Sequence, residues 1–420
     1  MIKPCLIWLA VFAFLAPANL VGQDNPNDIG ERLLARPPIR AAVDAAREFE
    51  AEVLADQIDL CGIPAPPFGE QERAEAYRAR FEALGLERTR IDSVGNVLGE
   101  RAGQSDQPHL VFSAHLDTVF PADIDVTVSR DGSILKGPGI GDDCRGLAVV
   151  LGVVRALDRA VVRTWGRITF VGTVGEEGLG DLRGVKHLFN TELAGVVDRF
   201  VSVDGAGLGI TNVAVGSNRY KVTFRGPGGH SFGAFGLASP VHALGRLIDE
   251  IAKFDVSTVP KTTFNVGRIG GGTSINAIAA DAWLELDLRS EDPVALAVID
   301  EKFHGAVDMA LSEENTRWGR GGRLRVEIEL VGRRPAGRTP DDTQMVRTAV
   351  SVSNALGLSL RLSAGSTDSN YPMSLGIPAI TIDGGGRGFG AHALDETFDT
   401  TESVRGTERA TLLAVALTEP

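Results

Sequence analysis

Apolar residues recur at three- and four-residue spacing through 39–60, with Val43, Ala46, Phe49 and Val53 on one stripe, and predict an amphipathic helix. Ile63-Pro64-Ala65-Pro66-Pro67 ends it, because each proline disfavours helical backbone at the residue before it. A second helix is expected over 70–84, stopped by Gly85. The pattern then changes. Short apolar runs end in reactive side chains: 110–114 runs into His115, 168–174 into Gly175-Glu176-Glu177, 200–203 into Asp204 and 379–382 into Asp383. Such runs predict buried strands, and helical stretches such as 147–157 and 181–189 separate them. The expected fold is α/β, with a mixed, mostly parallel sheet sandwiched by helices. Ligands of open parallel sheets sit at the carboxyl ends of the strands, where these polar residues stand.

Between these halves the character shifts. Residues 212–225 and 262–289 alternate like half-exposed antiparallel strands, 240–254 and 293–311 read as helices, and 324–331 alternates again. Residues 212–332 are expected to form an inserted α+β domain within the usual domain range. The catalytic domain would then be built from 23–211 and 333–420, with 333–340 as a linker.

The first residues stand apart. Lys3 precedes an apolar run over 6–16, followed by Pro17, Ala18 and a polar stretch from Gln23. This predicts a secretory signal peptide, taken as 1–22, and an exported protein, periplasmic or secreted. The run is shorter than the ~20 residues that span a bilayer, and no later stretch is apolar enough to do so.

The chain of 420 residues favours two domains, and its 43% hydrophobic residues suffice for a large core. A formal net charge of -13 repels phosphate backbones and argues against nucleic acid as a partner. Beyond the signal peptide only Cys61 and Cys144 remain, and two free or buried thiols are the simpler expectation. No cysteine spacing resembles a zinc finger, so any metal must be held by histidines and carboxylates.

Four segments carry candidate chemistry. In His115-Leu116-Asp117 the carboxylate is placed to orient the imidazole, although a structural pair has the same spacing. In Gly137-Pro138-Gly139-Ile140-Gly141-Asp142-Asp143 an acid replaces the last glycine of a dinucleotide loop, which suits a cation better than a pyrophosphate; a glycine turn with capping aspartates is equally open. Glu176-Glu177 places two carboxylates after a buried strand, costly unless positive charge is near, unless the loop is simply solvated. In Gly388-Phe389-Gly390-Ala391-His392 the glycines would let the backbone deliver a histidine into a site, and serve an ordinary surface loop equally well. Asp204 adds a strand-end acid, readable also as a helix cap or an ion-pair partner.

Taken together and in this order, these segments resemble the co-catalytic zinc metallopeptidase family of peptidase T, bacterial glutamate carboxypeptidase, acetylornithine deacetylase and carnosinase. Gly228-Gly229-His230-Ser231 fits the same order. The resemblance implies two zinc ions, with cobalt or manganese as substitutes, bridged by Asp142. His115 and Asp204 would complete one site, Glu177 and His392 the other. Asp117 would support His115, Glu176 would be the general base, and the peptide after Asp142 would be cis. His230 would reach the active site of a homodimer mate from the inserted domain and steady the oxyanion. Asn276 and Arg289 match positions that contact substrate, although Arg289 has Asp287 and Glu291 as alternative partners. The expected activity is hydrolysis of short peptides by a metal-activated water. Val203-Asp204-Gly205-Ala206-Gly207 resembles peptidase T and tilts the reading toward an aminopeptidase. A carboxypeptidase or an N-acyl-amino-acid hydrolase remains the alternative, and a non-catalytic binding protein a remote one. Cys144-Arg145-Gly146 departs from the Lys-Gly common in relatives at this point.

Overall fold

The structure is a computed structural model that describes residues 28–318 and 321–420, so the expected signal peptide over 1–22 lies outside the described residues. Its centre is a nine-stranded sheet. Four neighbouring strands, Ile168–Thr173, Leu110–His115, Arg199–Val203 and Ala379–Ile382, run parallel. Antiparallel pairings flank them: Val97–Arg101 against Ile168–Thr173 on one side, Ile210–Ala214 against Ala379–Ile382 on the other. Successive strand residues face opposite ways. Leu110, Phe112 and Ala114 enter one core with the helices Pro37–Glu48, Cys144–Arg159 and Val404–Ala416. Val111 enters a second core with Val185 and Met373 on the opposite face. Burial on both faces is why these strands read as unbroken apolar runs.

A separate four-stranded antiparallel sheet orders Thr262–Gly271, Asp281–Ser290, Gly216–Arg225 and Arg325–Arg334. The helices Pro240–Ala252 and Pro293–Arg317 cover one of its faces and share its core around Phe224, Leu247, Leu284 and Phe303. A third small sheet pairs Thr397–Asp399 with both Arg387–Phe389 and Ile134–Lys136. It holds the loop that carries His392 beside the loop that carries Asp142.

Three expectations change. The single helix over 39–60 is two helices, Pro37–Glu48 and Glu50–Cys61, broken at Phe49. The break lets Ala46 pack near Ala156 and Val53 against Gly152, where a Cβ would stand 2.8 Å from a valine methyl. The expected strand over 212–225 is split, with Ile210–Ala214 in the large sheet and Gly216–Arg225 in the second. Cys61 and Cys144, expected as free or buried thiols, form a disulfide across Cα atoms 5.4 Å apart. No described helix is long and apolar enough to cross a membrane.

Candidate metal centre

Each acid or histidine of the cluster follows directly from a strand end or a glycine loop. His115 is the last residue of its strand, Glu176 and Glu177 follow Ile168–Thr173 through Gly175 at φ +66, and Asp204 follows Arg199–Val203. Asp142 and Asp143 precede the helix Cys144–Arg159, and the peptide between them is cis. Asp143 caps that helix by accepting the Gly146 N–H at 3.0 Å, and a side chain on Gly146 would collide with that carboxylate. His392 comes in on the third sheet's loop with φ +67, a region that few non-glycine residues adopt.

These segments converge on Asp142. Its Oδ1 lies 3.0 Å from His115 Nε2, and its Oδ2 lies 3.2 Å from His392 Nε2. His392 Nε2 is also 3.0 Å from Glu177 Oε1, and His115 Nε2 is 3.9 Å from Asp204 Oδ1. His115, Asp142 and Asp204 thus form one group with potential ligand atoms within 4.8 Å of one another, and Asp142, Glu177 and His392 form another. Asp142 belongs to both. Glu176 stands beside them, grouped with His115 and Glu177 at the same reach.

Asp117 supports the site differently from expectation. Its main-chain carbonyl, at 2.9 Å, is nearer His115 Nδ1 than its carboxylate, at 3.7 Å. The carboxylate is engaged by the amides of Glu176 at 3.0 Å and Glu177 at 2.7 Å. It therefore fixes the acidic loop as well as the imidazole.

The electrostatics are those of a cation site. Burial drives the Asp204 carboxyl well above its ordinary range, and Asp142 beside it adds to the shift. Burial raises Glu176 to about 8 in spite of a neighbouring arginine. Hydrogen bonds to Asp142 and Glu177 lift His392 to about 10. For His115, burial opposes protonation, yet the hydrogen bond to Asp142 and the surrounding acids hold it well above its usual value. Burial would raise Asp142 as well, but hydrogen bonds from both imidazoles outweigh it and push it down. Glu176, Asp204, the buried His115 and the more exposed His392 thus retain protons that a bound cation would displace. Nitrogen and carboxylate donors with one shared acid suit a pair of divalent ions, and Cys144 is committed to its disulfide rather than offered as a ligand.

Two contributors were not anticipated. Glu396 accepts the amides of Gly139 at 2.9 Å, Gly141 at 2.8 Å and Asp142 at 3.2 Å, and so shapes the glycine loop; burial raises its carboxyl to about 7. Arg334 donates to Glu176 Oε1 at 2.8 Å from a segment expected to be a linker. An acid four residues after His392 was a visible signal for the first; nothing local marked the second.

The structure does not bring His230, Asn276 or Arg289 into the cluster. His230 pairs with Ala277 in a two-residue bridge, which sets it next to Asn276, and its Nδ1 accepts the amides of Phe232 and Gly233. Arg289 is paired with Asp287 at 2.6 Å, the alternative that its neighbours suggested. Among the described residues, no hydrogen bond or ion pair joins these three to the cluster.

Comparison with known proteins adds to this geometry. Residues 111–416 match the family described as peptidase family M20/M25/M40. The chain is 28% identical to carboxypeptidase G2 of Pseudomonas sp. over 331 residues, covering 75% of this chain and 76% of that one. The crystal structure of aminopeptidase PepT from Bacillus cereus superposes with a TM-score of 0.71 at 22% identity, covering 88% of this chain and 99% of that one. The Bacillus subtilis YXEP protein, described as a dinuclear metal binding peptidase of the M20 family, superposes with a TM-score of 0.66 at 18% identity, covering 89% and 99%. The two superpositions establish the shared fold.

Proposed function

The chain belongs to peptidase family M20/M25/M40, a family of hydrolases of peptide and amide bonds, and from that premise we propose that it is an exported two-zinc exopeptidase that trims short peptides from the N-terminus. The observation that carries this reading is the sharing of Asp142 between two ligand groups, with Glu176 beside both. In the proposal His115 and Asp204 hold one ion, Glu177 and His392 the other, and Asp142 both. When bound, the pair of ions would supply Lewis acidity toward the scissile carbonyl and would lower the pKa of the attacking water.

The chain's own residues do the rest. Glu176 accepts the proton of the attacking water and returns it to the departing amide nitrogen. Its buried position suits this task, since a base is most effective when its pKa lies near the working pH. Asp117 holds the amides of Glu176 and Glu177 and so keeps the base and one ligand in fixed relation. His230 has no role within its own chain's cluster, and we assign it to the active site of a partner copy, where it donates to the oxyanion. The inserted segment runs from Gly216 to Arg334 rather than over 212–332, because Ile210–Ala214 pairs in the large sheet; we assign the homodimer contact to this segment, and Asn276 and Arg289 contact substrate when it closes.

Two observations favour an aminopeptidase. Val203-Asp204-Gly205-Ala206-Gly207 resembles peptidase T, and the chain's fold matches the B. cereus aminopeptidase over nearly all of that protein. The likeness to carboxypeptidase G2 keeps the carboxypeptidase reading as the alternative. Export is supported by the Cys61–Cys144 disulfide, which an oxidising compartment maintains. The test is a hydrolysis screen with zinc-loaded protein on free-amine tripeptides, dipeptides, peptides ending in glutamate and N-acetylated amino acids. The proposal expects tripeptides to be cleaved and N-acetylation to abolish cleavage. Turnover of N-acetylated amino acids or C-terminal glutamates alone would replace it with the alternative.

A further inference from the structure

Arg334 is the last residue of Arg325–Arg334, a strand of the second sheet, yet its side chain ends inside the large-sheet half of the molecule, 4% exposed. Its Nη1 donates to Glu176 Oε1 at 2.8 Å and to Ser366 Oγ at 3.2 Å, and its Nη2 donates to the Glu176 main-chain carbonyl. One planar guanidinium therefore grips both the side chain and the backbone of a residue 158 positions away. A lysine ammonium lacks this rigid fork. Neighbouring contacts bind the same two segments. Asp181 Oδ1 accepts the Arg333 amide at 2.7 Å, Lys186 Nζ spans Asp181 Oδ2 at 2.7 Å and the Arg333 carbonyl at 2.9 Å, and Arg219 of Gly216–Arg225 donates to the Gly178 carbonyl at 2.8 Å. The loop that follows Glu176 is thus anchored to two strands of the second sheet.

We infer that Arg334 is a positioning residue: it holds Glu176 Oε1 in its fork and thereby fixes the carboxylate against His115 and Glu177. The inference rests on the proposed role of Glu176 as general base. Removing a buried cation that holds a carboxylate in place lets that carboxylate rotate, and a displacement of about 1 Å at a reacting group costs on the order of 10²-fold in rate. Arg334 touches neither the metal ligands' coordinating atoms nor, in the proposal, the substrate, so its loss should appear in kcat rather than in KM or metal content.

The experiment compares wild type, Arg334→Met, Arg334→Lys, Glu176→Gln and the Glu176→Gln/Arg334→Met double variant, as zinc-loaded full chains hydrolysing trialanine or the best tripeptide from the screen. Metal stoichiometry and Tm are read alongside. Arg334→Met should lower kcat by about 10²-fold with KM within about threefold and both metal equivalents retained. Arg334→Lys should fold and lie between it and wild type, and Arg334→Met should cost nothing further in the Glu176→Gln background. Wild-type kcat in Arg334→Lys and Arg334→Met, or a loss that multiplies with that of Glu176→Gln, would overturn the inference. If Arg334→Met fails to fold, Arg334→Lys alone decides: a reduced kcat at unchanged KM and metal content supports the inference, and an unchanged kcat rejects it. An undiminished Glu176→Gln protein would instead remove the base assignment, a different failure from an active Arg334→Met protein beside an inactive Glu176→Gln one.

Discussion

Glu396 accepts the backbone amide of Asp142 at 3.2 Å across 254 residues of sequence. A carboxylate that is not itself in either ligand group thus fixes the main chain of the one residue common to both. It also takes the Gly139 and Gly141 amides, which would otherwise be buried without acceptors. Glu396→Ala should therefore release the loop: zinc content should fall below two per chain, and the metal-loaded protein should lose at least about 2 kcal/mol of stability, since each orphaned buried donor costs about 1–3 kcal/mol. Elemental analysis after dialysis and urea unfolding check both. Full metal content with unchanged stability would show that the loop holds its shape without Glu396.

Glu176→Gln keeps the shape and most hydrogen-bonding capacity of the side chain but cannot take a proton. Turnover should fall by about 10²–10⁴-fold, the usual contribution of a general base, while two zinc ions remain bound. The pairing of kcat with metal stoichiometry is what separates a lost base from a lost ligand.

The pH dependence of metal binding has a definite sign. In the metal-free chain His392 keeps its proton up to about 10, held by Asp142 and Glu177. Below 6.5 those contacts stabilise the metal-free fold fully, and the contribution disappears as the pH rises through about 10. A metal takes the neutral imidazole, so binding at pH 7 must expel that proton. Zinc affinity should rise with pH across 6–8, and calorimetry in buffers of different ionisation enthalpy should show net proton release. His392→Ala should bind less zinc and release fewer protons. Affinity that is flat in pH would contradict the assignment of His392.

The Cys61–Cys144 bond joins the helix Glu50–Cys61 to the first residue after the Asp142–Asp143 pair and closes a separation of 83 residues. In the chain-entropy account a loop of that size is worth about 4–5 kcal/mol. Cys61→Ser/Cys144→Ser, or reduction of the native bond, should lower Tm measurably and weaken metal retention, because Cys144 abuts the loop that carries Asp142. Unchanged Tm in the double variant would mean that packing alone holds this junction.

Much of this architecture was visible in the sequence, for a physical reason. Strands buried on both faces must be apolar throughout, so the point where such a run meets His115, Glu176 or Asp204 is marked by an abrupt change that needs no partner to be seen. The helix break at Phe49 was hidden because the apolar spacing continues through it; only the packing of Ala46 and Val53 on the next helix, at Ala156 and Gly152, divides the two segments. The disulfide was hidden because spacing along the chain says nothing of a 5.4 Å approach in space. Arg334 was hidden for the same reason. It reads as one of several arginines in a linker, and only the folded chain sets it on Glu176.

In the proposed enzyme two cations flank Asp142. Zinc-edge anomalous diffraction from crystals of the zinc-loaded protein tests this most directly. Two peaks about 3.5–4 Å apart are expected, one between His115 and Asp204 and one between Glu177 and His392, each within bonding distance of an Asp142 oxygen. A single peak, or peaks that Asp142 does not bridge, would contradict it.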